Sequence, residues 1–406
     1  MIEKTRKLTV AIVAGEESGD ALGAELISAL NSQLSQTPDY IGTGGERMAA
    51  LGHKSLFPIS DVAVMGLTAV LARLPLIIKR VHQTVDAIVQ AQPDVLVIID
   101  SPDFTHNIAK RVRKKASNIP IVGYVSPSVW AWRSGRAKRM SVYVDDLLAI
   151  LPFEPDVHKR LGGPPTHYVG HPLSENVTKL RPSEGERTPL GNDKRVLLVL
   201  PGSRSSEVGR LLETFGQTVE KIAAEYPDLE ILLPAVSHLE SRIRSEVAVW
   251  PVQPTIVVGQ EAKQGAFRRA HAALAASGTV SLELALSGVP MVVAYKLDWF
   301  YRRVKELNNL LKFSGVNSMV LPNIILEENI IPEFLDDNAN PDALCQKVLP
   351  LLADSPDRDR QTRAFEKLDD IMRLPDGASQ SGAAAEVVLR RIGSSKIVHM
   401  DPAENP

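Results

Sequence analysis

The sequence contains a single cysteine, Cys345, in 406 residues. It cannot pair within the chain, which excludes a disulfide-stapled scaffold and a cysteine-built zinc site and fits a reducing compartment. The nine histidines show no metal-ligand spacing with cysteine or with one another, so neither a metal nor another cofactor is expected. Excess charge of either sign is missing too: 46 Lys and Arg stand against 48 Asp and Glu, a formal net charge of −2. No global field favours nucleic acid, so any anionic partner must be met locally. No stretch offers ~20 apolar residues free of charge, proline or clustered glycine. The apolar stretch at residues 8–13 is too short for a secretory signal. A cytoplasmic location with no membrane span is therefore expected.

What is present is a recurring alternation. Short apolar runs rich in Val, Ile and Leu occupy residues 8–13, 95–99, 121–125, 196–200, 231–233, 255–258, 272–275 and 291–294, with helical patterns between them. Continuous apolar runs suit strands buried on both faces, and the segments between them are long enough for crossover helices. The reading is α/β: two Rossmann-like, doubly wound parallel-sheet domains. Proline, glycine and charge interrupt the pattern at residues 162–195. The expected organisation is 1–172 for the first domain and 173–365 for the second. Residues 366–393 would be C-terminal helices packing back on the first domain, and 394–406 a flexible tail.

Ligands of parallel sheets bind beyond the carboxyl ends of strands, so the loops there carry the chemistry. After residues 8–13 comes Ala14-Gly15-Glu16-Glu17-Ser18-Gly19-Asp20, an acidic, glycine-punctuated turn that opens a helix. It suits either close ligand approach or a simple strand–helix turn. After residues 95–99, Asp100 and Asp103 in Asp100-Ser101-Pro102-Asp103-Phe104 offer a general base, or in the case of Asp103 a helix cap. The loop Ser126-Pro127-Ser128-Val129-Trp130-Ala131-Trp132-Arg133 sets indole faces and a guanidinium where a sugar, an acyl chain or a phosphate could lie, or where tryptophans simply pack.

In the second half, Pro201-Gly202-Ser203-Arg204-Ser205-Ser206-Glu207 combines glycine, hydroxyls and one arginine ahead of a helix, a phosphate-site composition. It lacks the Gly-Lys-Ser/Thr ending of a P-loop, which disfavours a nucleoside triphosphatase. Ser277-Gly278-Thr279 opens another helix suited to a diphosphate. Glu283, one turn on, is placed either to hold a ribose diol or to compensate the helix dipole. Gly42-Thr43-Gly44-Gly45 is a weak dinucleotide signal and reads as a loop. His171 reads as a hinge residue. Residues 62–81 form an apolar strip whose charges, Arg73, Lys79 and Arg80, are basic. The strip reads equally as a bilayer-interface element, as the lining of an acyl-chain groove, or as a buried helix interrupted at Pro75.

Several of these motifs occur in an order that resembles the lipid-A-disaccharide synthase family. They are Ala14 to Asp20, Val64-Met65-Gly66, Asp100 to Phe104, Pro127 to Arg133, Leu151-Pro152-Phe153-Glu154, Gly170-His171-Pro172, Leu200 to Arg204 with Glu207, and Ala276 to Thr279 with Glu283. The resemblance covers about residues 8–321, and Trp130-Ala131-Trp132-Arg133 is its most specific part. It implies a GT-B fold, two Rossmann-like domains facing across a cleft. It also implies an inverting glycosyl transfer from UDP-2,3-diacylglucosamine to 2,3-diacylglucosamine 1-phosphate (lipid X), without a metal.

By that resemblance Asp100 is the base for the acceptor 6-hydroxyl, with Glu16 and Asp103 as further catalytic candidates. Gly202, Ser203, Arg204, Ser277, Gly278, Thr279 and Glu283 would bind the donor nucleotide, and Asn317, by its position, is a further substrate-binding candidate in the cleft. Ser18, Met65, Trp132 and Arg133 complete the substrate-binding set. The implied setting is peripheral attachment at the cytoplasmic face of the inner membrane, with a homodimer allowed and nucleic acid not expected. Glu17, and Thr68 with Ala69, depart from residues frequent in the family and bear on acyl selectivity. The competing readings are a UDP-N-acetylglucosamine 2-epimerase and a non-catalytic UDP-sugar or lipid-binding protein. The apolar strip and the Trp130–Trp132 loop argue against the first, and the intact Asp100, Arg204 and Glu283 against the second.

Overall fold

The computed structural model describes residues 7–63, 67–131, 133–175, 177–191, 194–296 and 318–398. It divides into two compact units. One ends at His171 and resumes at Leu374, and the other runs from Pro172 to Arg373. The expected boundary at 365–366 falls inside the helix Pro356–Met372, so the chain leaves the second unit only after that helix ends.

The first unit contains a seven-stranded parallel sheet. Its strands are β1 (Thr9–Ala14), β2 (Asp39–Thr43), β3 (Lys54–Ser55), β4 (Val95–Ile99), β5 (Ile121–Tyr124), β6 (Asp146–Ala149) and β7 (Thr166–Tyr168), in the order β3-β2-β1-β4-β5-β6-β7. Alternate residues of the central strands serve opposite layers. Val10, Ile12, Val95, Val97 and Ile99 join one core cluster, and Ala11, Val13, Leu96 and Ile98 join the other. Burial on both faces explains why these strands read as unbroken apolar runs. The helix Gln380–Val398 closes the first layer with Ala384, Ala385, Val388 and Ile392, packing on the helix Glu17–Gln33. It runs past residue 394, where the sequence suggested a tail. Arg391 on this helix and His167 on β7 both bond to the buried Asp146 carboxylate of β6.

The second unit repeats the plan with β8 (Val196–Leu200), β9 (Glu230–Ala235), β10 (Thr255–Val258), β11 (Ala272–Ala276), β12 (Met291–Tyr295) and β13 (Glu333–Leu335), all parallel, ordered β10-β9-β8-β11-β12-β13. In each sheet, successive connections reverse direction at one place, between β1 and β4 and between β8 and β11. Adjacent loops splay apart there and leave a crevice at the strand ends.

Two readings change. Gly42 and Thr43, expected in a loop, end β2, and Gly42 is required at φ 130° because a Cβ would lie 2.0 Å from the Ile12 carbonyl oxygen. The helix Leu67–Ala91 continues through Pro75 instead of being interrupted there. Its face at Leu71, Leu74 and Ile78 is 59%, 42% and 49% exposed, so this part of the strip is not a buried helix.

Candidate functional site

In the first unit, β1 and β4 deliver Glu16 and Asp100 to the reversal point. Gly15 allows this close approach: a Cβ on it would lie 2.7 Å from the Ser101 Cβ. Asp100 and Ser101 take left-handed backbone at φ 47° and 41°, and Val125 at the neighbouring strand end has φ 71°. For a β-branched residue that conformation is strained, and such strain gathers where a site over-determines the backbone. Asp100 is tied in by its amide to the Tyr124 carbonyl at 2.9 Å and by the Ser101 amide, which donates to its Oδ1 at 2.8 Å.

Burial, and next the Glu16 carboxylate within hydrogen-bonding reach, push Asp100 above the usual carboxylate range, against the lowering effect of the Ser101 amide. Ser18 Oγ donates to Glu16 Oε1 at 2.7 Å, orienting the second carboxylate. Glu16, Ser18 and Asp100 therefore form one cluster. Asp103 does not join it: its side chain is 97% exposed on the first helical turn, 3.7 Å from Arg136. Asp20 is structural. Its buried carboxylate accepts from the amides of Gly45, Arg47 and Met48 at 2.7, 3.0 and 3.2 Å, so Gly45 meets a carboxylate of the same chain, while the Gly44 amide donates to Ser55 Oγ.

The loop after β5 is anchored from below. Trp130 Nε1 donates to Glu154 Oε1 at 3.3 Å, and its indole meets the Phe153 ring edge-on at 5.4 Å. Glu154 is buried and its other oxygen accepts from the Leu151 amide; desolvation pushes its carboxyl up to about 7. Ser126 Oγ bonds to Nε2 of the fully buried His158, which desolvation lowers to about 4 and so keeps neutral. Trp130 is thus a packing residue. Arg133 lies beyond it in an exposed position at φ 52°. Met65, Trp132 and Asn317 lie outside the described residues.

In the second unit, the residues expected to bind the donor come together. Gly202, Ser203, Arg204, Ser277, Gly278, Thr279 and Glu283 line one cavity of about 540 Å³ at the ends of β8 and β11, within the range of small-ligand sites. Gly202 has φ 118°, and a Cβ there would meet Glu207 at 2.6 Å. Glu207 Oε2 accepts from the amides of Ser203 and Arg204 at 3.1 and 3.2 Å. These N–H groups, expected to face a phosphate, are thus taken by an internal carboxylate. Arg204 Nη1 reaches Glu207 Oε1 at 3.0 Å, yet the arginine side chain stays 71% exposed. The amides of Gly278, Thr279 and Val280 precede the first bonds of the short helix Val280–Leu286. An anion in this cavity would meet a guanidinium and oriented amides.

Sequence reasoning missed the wall formed after β9 and β10, where Val236, Ser237, Gln260 and Lys263 enter the lining. The available signal was Gly259, a glycine between an apolar run and a helical pattern, which has φ 96°. Lys263 Nζ lies 2.5 Å from Glu283 Oε2.

The architecture matches solved structures along nearly its whole length. A putative UDP-N-acetylglucosamine 2-epimerase from Listeria monocytogenes aligns at TM-score 0.62 and 15% identity, covering 99% of this chain and 100% of that one. The glycotransferase of kitacinnamycin aligns at TM-score 0.58 and 16% identity, covering 95% and 99%. The fold is of the GT-B class shared by nucleotide-sugar epimerases and glycosyltransferases. At these identities the likeness is one of fold alone.

Sequence relatives decide the family. Residues 10–387 match the model of the lipid-A-disaccharide synthetase family. Lipid-A-disaccharide synthase of Nitrobacter winogradskyi is 49% identical over 391 residues, covering 95% of this chain and 96% of that protein. The Ruegeria pomeroyi enzyme of the same name is 38% identical over 401 residues, covering 95% and 96%. The chain belongs to the lipid-A-disaccharide synthetase family and is a glycosyltransferase. The epimerase and non-catalytic readings have no comparable support.

Proposed function

We propose that the chain transfers the sugar of UDP-2,3-diacylglucosamine to the 6-hydroxyl of 2,3-diacylglucosamine 1-phosphate, forming a β-1,6 bond with inversion and releasing UDP. Asp100 takes the hydroxyl proton as that oxygen attacks the anomeric carbon, and the bond to the diphosphate oxygen breaks. One observation carries this assignment: a desolvated Asp100 beside Glu16 at the reversal of the first sheet. A raised carboxyl makes a stronger base at neutral pH, which suits abstraction of an alcohol proton in the transition state. In the second unit, Arg204 and the amides around Gly278–Thr279 stabilise the charge developing on the departing diphosphate. Glu283 accepts the ribose hydroxyls.

Both substrates are acylated, and the exposed face of Leu71, Leu74 and Ile78 suits an apolar partner. Arg73 and Lys79, also exposed on this helix, add basic charge. No helix among the described residues is long and apolar enough to cross a membrane. This face is proposed to rest on the cytoplasmic surface of the inner membrane. Purified protein given both substrates should yield UDP and a disaccharide 1-phosphate in equal amounts. Absence of product across a range of acyl lengths overturns the reading.

A further inference from the structure

The charged side chains lining the cavity of the second unit form two pairs, Arg204 with Glu207 and Lys263 with Glu283. The pairs differ in character. Arg204 is largely exposed, so its guanidinium can turn to a ligand while keeping Glu207 as an anchor. Lys263 is withdrawn: it is 26% exposed, bonded at 2.5 Å to Glu283 Oε2, and its ammonium lies 5.4 Å from the Phe267 ring centroid one turn along the same helix. That helix, Gln260–Arg269, begins at Gly259, whose positive φ sets the direction in which the chain leaves β10. The ion pair joins the helix after β10 to the helix after β11 at the cavity wall.

We propose that Lys263 is a positioning residue for nucleotide recognition, holding the Glu283 carboxylate where it accepts both hydroxyls of a ribose diol. The proposal rests on the UDP-sugar reading given above. A carboxylate has about four lone-pair sites, so Oε2 accepts from Lys263 and still takes one hydroxyl while Oε1 takes the other. Without the ammonium, no other side chain among the described residues fixes the rotamer of the glutamate, and ordering it on binding weakens recognition. Lys263 thereby acts on the sugar rather than on the phosphates, which fall to Arg204.

Two nucleotides separate these roles: UDP, and 2′,3′-dideoxy-UDP, which keeps the diphosphate and lacks the diol. Binding is measured by calorimetry on the full chain. Wild type should prefer UDP by about a hundredfold, roughly tenfold for each hydroxyl that donates to the charged acceptor. Lys263→Met should bring that preference close to unity without changing dideoxy-UDP affinity. Lys263→Arg should recover part of it. Glu283→Gln should lose the same preference, and the double variant should lose no more than either single one; Lys263→Arg, which retains the ion pair, keeps the test readable if Lys263→Met folds poorly.

Equal loss on both nucleotides would make Lys263 a phosphate ligand and overturn the inference, as would an unchanged preference. Wild type binding both nucleotides equally would remove the diol role of Glu283 while leaving the UDP-sugar reading intact. Wild type binding neither would sink that reading, and this inference with it.

Discussion

Glu16 lies beside Asp100 at the reversal of the first sheet, two carboxylates brought together by strands that are distant in sequence but adjacent in space. Gly15 makes the approach possible, and left-handed backbone at Asp100 and Ser101 turns the chain there. Like charge and burial act in the same direction on Asp100, so the residue proposed as base is also the one whose proton affinity is raised.

The pH profile should record this. The acidic limb of kcat/KM is expected above the ordinary aspartate value of about 4. Glu16→Gln removes the neighbouring charge and should move that limb to lower pH, because the deprotonated form of Asp100 is then less disfavoured. Steady-state rates between pH 4 and 8 check both points. A limb that stays in place in Glu16→Gln contradicts the coupling.

Asp146 should make the first unit acid-sensitive. Burial alone would raise its pKa, but hydrogen bonds from His167 and Arg391 outweigh that and hold it below the usual range. A depressed carboxylate contributes stability above its unfolded value near 4, and this contribution is lost as pH falls through the folded value. Arg391→Met should cost about 2 kcal/mol at pH 7, less than a fully buried pair because Arg391 is partly exposed. Thermal melts of both proteins at pH 7 and pH 3 should show the gap narrowing in acid.

Glu207 should matter to both folding and binding. Its carboxylate satisfies the Ser203 and Arg204 amides at the start of the helix Ser205–Glu225. Glu207→Ala should lower stability by about 1–2 kcal/mol, the range of a lost helix cap. It should also weaken UDP binding, because Arg204 loses its anchor. Melting curves and calorimetry check the two effects separately. Unchanged UDP affinity would mean that Arg204 is held by other contacts.

Membrane association should follow the exposed stripe. Flotation with vesicles containing anionic lipid should recover wild type, and the triple variant Leu71→Ser, Leu74→Ser, Ile78→Ser should be largely lost from the vesicle fraction. Each lost leucine or isoleucine is worth up to about tenfold in partitioning. Activity on detergent-dispersed substrates should change much less.

The central strands were legible because burial on both faces leaves only apolar residues, as in β4 and β8. Strands at the margins were not. The strands β2 and β7 carry Asp39 and His167 and β13 spans only Glu333–Leu335, so none of these presents an apolar run, while β6 opens on the charged Asp146. The donor-side loops could be read from glycine, hydroxyl and arginine ahead of a helix. That Glu207 would occupy the Ser203 and Arg204 amides could not be read, since a carboxylate four residues along looks the same whether it faces solvent or folds back. Lys263 was hidden for a similar reason. Its partner lies twenty positions away on the helix after β11, and β9 and β8 stand between β10 and β11, so only the crossover of the helix Gln260–Arg269 brings the two side chains together. Proline at 75 suggested a break, but the helix tolerates it, and the exposure of its neighbours became visible only in the folded chain.

The most direct measurement is the single-turnover rate of disaccharide formation by Asp100→Asn, with UDP affinity measured on the same preparation. Asparagine keeps the size and removes the base. The rate should fall roughly a hundredfold or more, while UDP binding, proposed above for the second unit, stays at the wild-type value. Product formed at close to the wild-type rate would show that Asp100 does not take the acceptor proton.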